Sequence, residues 1–284
     1  MRSICIKTNT PQIITYISNE IAQLKCEEIQ YSINTFSNYD NIILHYSGKD
    51  ISLFIQTISH ILSFTVIDEF EENIFIQLLN RHYCYFGKNE ISTILSNCFS
   101  VLADDFNELF NKKFNLLQNS FSEYLLENKA IILDGFVTFR LKEYFNVLDT
   151  ILTEAINIFL IEKEYTDFVS LLREYISEEL PLYDIIHLVY SPEDNSISLF
   201  DDNYNILPVN KDIQNIKYLS DISFSTNDLV LNTLLSNIPK KLIIHVPNGG
   251  INEFISTLIL IFNTRTSICS NCKLCCKTNS LHLN

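Results

Sequence analysis

Four of the chain's eight cysteines crowd together near its end as Cys269-x2-Cys272-x2-Cys275-Cys276. Cysteines two residues apart in a tight turn aim thiolates at one soft metal, and four donors at about 2.3 Å satisfy tetrahedral zinc. The C-x2-C-x2-C run also matches the start of a bacterial iron-sulfur motif, whose next cysteine follows after three residues and precedes a proline. Here Cys276 follows directly instead, which is awkward for one centre. A fourth ligand is therefore sought in Cys276 itself, in His282, in the distant His245 or in a partner's side chain. His282, six residues past Cys276, suits zinc better than a cluster. The residues leave the cofactor open between a reduced, metal-free thiol tail and one structural zinc, with an iron-sulfur cluster ranked below both. Thiol-disulfide exchange is disfavoured, because the cysteines follow a predicted helix whose C-terminal dipole raises a thiol's pKa.

Other chemistry finds little support in the residue patterns. Val246-Pro247-Asn248-Gly249-Gly250 lies between a predicted strand and helix but lacks the spacing of a phosphate-binding glycine loop, so Asn248 or Asn252 reads as a helix cap. No G-x-S-x-G elbow or H-E-x-x-H pair occurs. His45, His187 and His245 fall in predicted strands and read as three separate half-buried sites. Cys5, Cys26, Cys84 and Cys98 read as small apolar side chains. Arg140 and Arg173, set among phenylalanines and tyrosines, are candidates for an interface or a cleft, because a guanidinium can stack on a ring and bridge carboxylates at once.

The elements that would position these groups follow from composition and period. The 284 residues are 47% hydrophobic, with 20 phenylalanines and only 5 glycines, which calls for a substantial core and long uninterrupted elements. A net charge of −14 repels phosphate backbones, and the short basic groups Lys112-Lys113 and Lys240-Lys241 read as solvated edges. No nucleic acid is expected. No run reaches the ~18 uninterrupted apolar residues of a spanning segment, and the first residues do not form a secretory leader. A cytoplasmic protein without a transmembrane segment is the expectation.

The predicted fold is α+β, with a mainly helical centre and small α/β parts at both ends. Residues 1–48 carry a strand at Ser3–Lys7, a helix opened by Pro11 and a strand at Asn41–Tyr46. Residues 49–180 are read as the helical core. Its apolar stripes run through Ile51–Leu78, Phe99–Leu125, Phe139–Leu160 and Phe168–Ile176. Residues 181–265 shift to a period of two and read as a sheet with two helices, and 266–284 as a cysteine-rich tail.

Asp134-Gly135-Phe136-Val137-Thr138-Phe139-Arg140, Phe159-Leu160-Ile161-Glu162-Lys163-Glu164-Tyr165 and Phe168-Val169-Ser170-Leu171-Leu172-Arg173-Glu174-Tyr175 resemble the YtxC family of sporulation proteins from endospore-forming bacteria. The likeness extends more weakly to Tyr83–Phe86, His245, Arg265 and the spacing of Cys269, Cys272 and Cys275. It implies a setting in sporulation and brings no catalytic residues with it. The leading expectation is a protein acting through contacts with a protein partner or its own copies. The alternatives are a small-ligand binder or enzyme with a site assembled from distant residues, and a zinc-knuckle nucleic-acid binder.

Overall fold

A computed structural model describes residues 2–36, 39–104, 106–192, 195–209, 225–247 and 250–277. The chain divides into two compact units, 1–161 and 162–284.

The first unit joins a four-stranded sheet and a set of helices in one hydrophobic core. Strand β1 (Arg2–Thr8) alternates buried and half-buried residues, and α1 (Pro11–Gln23) turns Ile13, Ile14, Ile17 and Ile21 inward. Strands β2 (Ile29–Thr35) and β3 (Asp40–Tyr46) form an antiparallel pair, and β3 pairs antiparallel with β1. The sequence pattern over Cys26–Phe36 is ambiguous because β2 is an edge strand with little buried surface to impose alternation. The fourth strand, β4 (Ala130–Ile132), returns from far along the chain to lie parallel to β1, giving the order β2-β3-β1-β4.

Between β3 and β4 run α2 (Ile51–Glu69), α3 (Glu71–His82), α4 (Lys88–Asp104) and α5 (Phe106–Glu127). The apolar stripe over residues 51–78 is thus two helices that part at Phe70. By length and composition α2 and the later helix Lys142–Glu178 could each cross a membrane, but half of the α2 window is buried within the protein, where Phe54, Ile58 and Leu62 enter the core. Arg2 from β1 donates to the carbonyls of Leu125 and Leu126, satisfying acceptors that the last turn of α5 leaves open.

Helix α6 (Leu133–Arg140) follows β4 directly and contains Asp134 and Gly135. Two features depart from the sequence reading. The stripes around Phe139–Leu160 and Phe168–Ile176 are not separate helices: α7 (Lys142–Glu178) runs for 37 residues without interruption. Its intervening residues, Glu162, Lys163 and Glu164, are good helix formers, so the loss of apolar residues there does not end the helix. Lys113, read as part of a solvated edge, is only 3% exposed. Its Nζ lies 2.8 and 2.7 Å from the two carboxylate oxygens of Glu71, and the Tyr144 hydroxyl donates to Glu71 Oε2 at 2.5 Å. The pairing answers a desolvation cost of several kcal/mol per ion. Tyr144 is in turn held well above the usual phenol range, first by burial and then by the Glu71 carboxylate.

The second unit holds a separate five-stranded sheet whose strands lie in the spatial order Ile206–Leu207, Ser196–Phe200, Tyr183–Ser191, Pro239–His245 and Thr266–Cys269. Strands β5 (Tyr183–Ser191), β6 (Ser196–Phe200) and β7 (Ile206–Leu207) form an antiparallel meander. Helix α8 (Thr226–Ser236) is opened by a capping box between Ser225 and Asp228, and it leads to β8 (Pro239–His245), parallel to β5. Asn252 caps α9 (Glu253–Phe262) through a bond from the Ile255 amide, as anticipated, while Asn248 lies outside the described residues. A 3-10 turn at Asn263–Arg265 then feeds β9 (Thr266–Cys269), parallel to β8, and a short α10 (Lys273–Lys277) follows.

Ile186, Leu188 and Tyr190 of β5, Leu242 and Ile244 of β8 and Val246 just past it join Val230, Leu234, Ile255 and Leu258 of α8 and α9 in one core. Alternation sends the intervening residues, His187 and His245 among them, to the opposite face.

A candidate metal centre

The β8-α9-β9 crossover is the local reason for the site. Two parallel strands joined through a helix bring their C-terminal ends side by side. In the register of this pair His245 stands directly opposite Cys269, so both side chains leave the sheet on one face. The Val246 amide donates to the Cys269 carbonyl at 2.9 Å and extends the pairing one step beyond the strands. The chain then turns through residues 270–272, which brings Cys272 back beside His245, and α10 adds Cys275.

The nitrogen Nδ1 of His245 lies 3.2 Å from Cys272 Sγ and 3.5 Å from Cys275 Sγ. Cys275 Sγ lies 3.6 Å from Cys272 Sγ and 3.9 Å from Cys269 Sγ. All four donor atoms fall within 4.8 Å of one another. A tetrahedral zinc with bonds of ~2.3 Å to sulfur and ~2.0 Å to nitrogen separates two sulfurs by about 3.8 Å and a sulfur from a nitrogen by about 3.5 Å. The spacings of 3.2, 3.5, 3.6 and 3.9 Å match four of the six edges of that tetrahedron to within about 0.3 Å. They are far longer than the ~2.05 Å of a disulfide, and the three thiols are free. They are also too short for a four-iron cluster, whose four cysteines each bind a different iron.

Burial and hydrogen bonding prepare the donors for a cation. His245 is 3% exposed, and its pKa is lowered to about 4, first by burial and then by His187, so its ring is neutral at pH 7 and carries a lone pair. Burial opposes ionisation of Cys272, yet the amides of Cys275 and Leu274 and the neighbouring thiols outweigh it and hold this thiol below its ordinary value. Burial raises Cys275, the thiol that also approaches the Cys269 carbonyl at 3.3 Å. A bound dication would stabilise all three thiolates.

Cys269, Cys272 and Cys275 thus come together as their spacing suggests, with His245 beside them. The side chain of Cys276 and all of His282 lie outside the described residues. Two expectations change. The cysteines do not hang from the end of α9, because β9 intervenes and Cys272 immediately precedes α10, so the dipole argument against a lowered thiol pKa does not apply. The histidines of β5 and β8 are not separate sites either: His187 Nδ1 lies 3.0 Å from His245 Nε2. Alternation along each strand is legible in sequence, whereas which strands adjoin is not.

A sequence profile of the YtxC-like family matches residues 56–267, three quarters of the chain. The chain belongs to the YtxC-like family. It is 25% identical over 182 residues to the uncharacterized protein YtxC of Bacillus subtilis (strain 168), a stretch covering 62% of this chain and 63% of that protein. The chain therefore spans less than two thirds of the relative's length. No solved structure matches it. The family match includes His187 and His245 and ends two residues before Cys269.

Within the family-matched region, Arg140 and Arg173 fall in different units. The Arg140 guanidinium lies over the Tyr124 ring, 5.1 Å from its centroid, in a cleft of about 690 Å³ that Glu123 and Glu127 also line. Arg173 donates from Nε to the Leu260 carbonyl at 2.5 Å and borders a groove with Arg265. Neither concavity is lined by a histidine. Cys26 and Cys84, read as small apolar side chains, are exposed, while Cys98 is buried.

Proposed function

We propose that this protein is a non-enzymatic cytoplasmic member of the sporulation programme that acts through protein contacts, and that its second unit is built around one structural zinc. The observation that carries the zinc is the set of donor spacings, 3.2 to 3.9 Å, around His245, Cys269, Cys272 and Cys275. Four protein ligands close a zinc coordination sphere and leave no position for a substrate or an activated water, which is the pattern of a structural site. Here the metal would fasten β9 and α10 to β8. Thiolate ligation suits a reducing compartment, which supports the cytoplasmic assignment.

Protein contacts are favoured by the large apolar side chains that α7 leaves exposed, among them Phe168, Leu171 and Tyr175. The charge of −14 opposes a nucleic-acid partner. The sporulation setting rests on the family resemblance.

The test is metal content and the absorption spectrum of protein purified without oxygen, wild type beside Cys272→Ser. Near one zinc per chain, lost in the variant, is the expected result. Iron with absorption at ~400 nm would replace zinc by cluster chemistry, and a folded protein without metal would remove the centre. Counts of heat-resistant spores from a strain lacking the gene test the setting, and unchanged counts would sink it.

A further inference from the structure

We propose that His187 orients the metal ligand: its Nδ1 accepts the proton on His245 Nε2, so that His245 presents Nδ1 to the thiolates, while Tyr204 stacks on His187 and holds it in place. The inference rests on the zinc reading and concerns residues outside the donor set.

The argument starts from register. Val189 of β5 lies opposite His245 of β8, and His187 is two residues before Val189, so His187 and His245 project from the same face. A neutral imidazole carries one proton, and whichever nitrogen binds a metal must be the bare one. Because Nδ1 of His245 faces the sulfurs of Cys272 and Cys275, the proton belongs on Nε2. That nitrogen lies 3.0 Å from His187 Nδ1. The two rings are 3% and 7% exposed, so bulk water is a poor substitute for the acceptor, and losing it would strand a buried N–H. Accepting at Nδ1 places the proton of His187 on its own Nε2, so one hydrogen bond fixes both tautomers.

Tyr204 supplies the outer support. Its ring stacks on His187 with centroids 4.9 Å apart and an interplanar angle of 26°. It does so from a backbone φ of 62°, a left-handed conformation that a bulky residue adopts at a cost. The turn that imposes it is closed by the Tyr204 amide on the Asp201 carbonyl at 3.0 Å. The Asp201 carboxylate reinforces it by accepting the amides of Asn203 and Asn205 at 2.9 and 2.8 Å. The line Tyr204-His187-His245 thus runs from a surface turn to the thiolates. Partners of this kind around zinc histidines contribute 10- to 100-fold in metal affinity.

The experiment uses the full chain loaded with zinc. In wild type, nitrogen-detected NMR of the histidine rings should show His245 bound through Nδ1 and protonated at Nε2. In competition with a chelator, His187→Leu should lose about 10- to 100-fold in zinc affinity, and His187→Asn, whose Oδ1 can stand where Nδ1 stood, should recover most of it. Tyr204→Ala should lose less, about threefold, because only a stacking contact is removed. Zinc on His245 Nε2, or a His187→Leu protein that binds as tightly as wild type, overturns the inference while leaving the zinc reading intact. A wild-type protein that binds no zinc overturns both. If His187→Leu does not fold, the wild-type spectrum decides alone.

Discussion

Cys269 stands directly opposite His245 in the parallel register of β9 and β8. Four-residue β9 is an edge strand, held by its ladder to β8 and, on our reading, by the metal that bridges these two residues. Removing zinc with a chelator, or replacing Cys269→Ser, should speed amide hydrogen exchange across Ile243–His245 and Thr266–Cys269. The β1–β3 ladder of the first unit should stay protected. Equal exchange in loaded and stripped protein would show that the metal does not secure the edge.

The Glu71–Lys113 pair predicts an asymmetric response to mutation. Lys113→Met leaves the Glu71 carboxylate buried with only the Tyr144 hydroxyl for a partner, and should cost about 3–5 kcal/mol in urea unfolding. Adding Glu71→Gln removes the stranded charge and keeps an oxygen for Tyr144, so the double variant should regain most of the loss. A Lys113→Met protein within about 1 kcal/mol of wild type would show that the pair is solvated in solution.

Cysteine reactivity should sort by burial and by metal. Cys26 and Cys84 are exposed and should react with iodoacetamide first, while buried Cys98, with its thiol pushed up to about 12, should resist until the first unit unfolds. Cys269, Cys272 and Cys275 should be protected with zinc bound and become reactive after chelation. Peptide mapping by mass spectrometry reads all of these sites, and early labelling of Cys98 would contradict the packing.

Alkaline pH should weaken the first unit. Burial raises Cys98 from 9.0 to about 12, and burial followed by Glu71 raises Tyr144, so both stay protonated in the folded protein after the unfolded chain has ionised. The folded state then binds more protons, and linkage makes stability fall as pH rises. The contribution is complete below about pH 9 and is lost progressively from there toward pH 12. Thermal melting should show a falling midpoint above pH 9, and Cys98→Ala should flatten the early part of that fall. A midpoint independent of pH between 9 and 11 would refute the assignment.

Patterns carried by neighbouring residues were legible in the sequence. The inward stripe of α1, the helical period of α2, the alternation of β5 and the cap at Asn252 all depend on side chains a few positions apart, and so did the thiol spacing of Cys269, Cys272 and Cys275. Those patterns determined the α+β class and pointed to a soft metal. Tertiary structure decided what depends on strand order and burial. Only the β8-β9 pairing sets His245 opposite Cys269, only the β5-β8 pairing brings His187 to its Nε2, and only the packing of α3, α5 and α7 turns Lys113 inward to Glu71. The physical reason is one of range: periodicity fixes which way a side chain leaves its own element, whereas a ligand set needs elements distant in sequence to meet in one register.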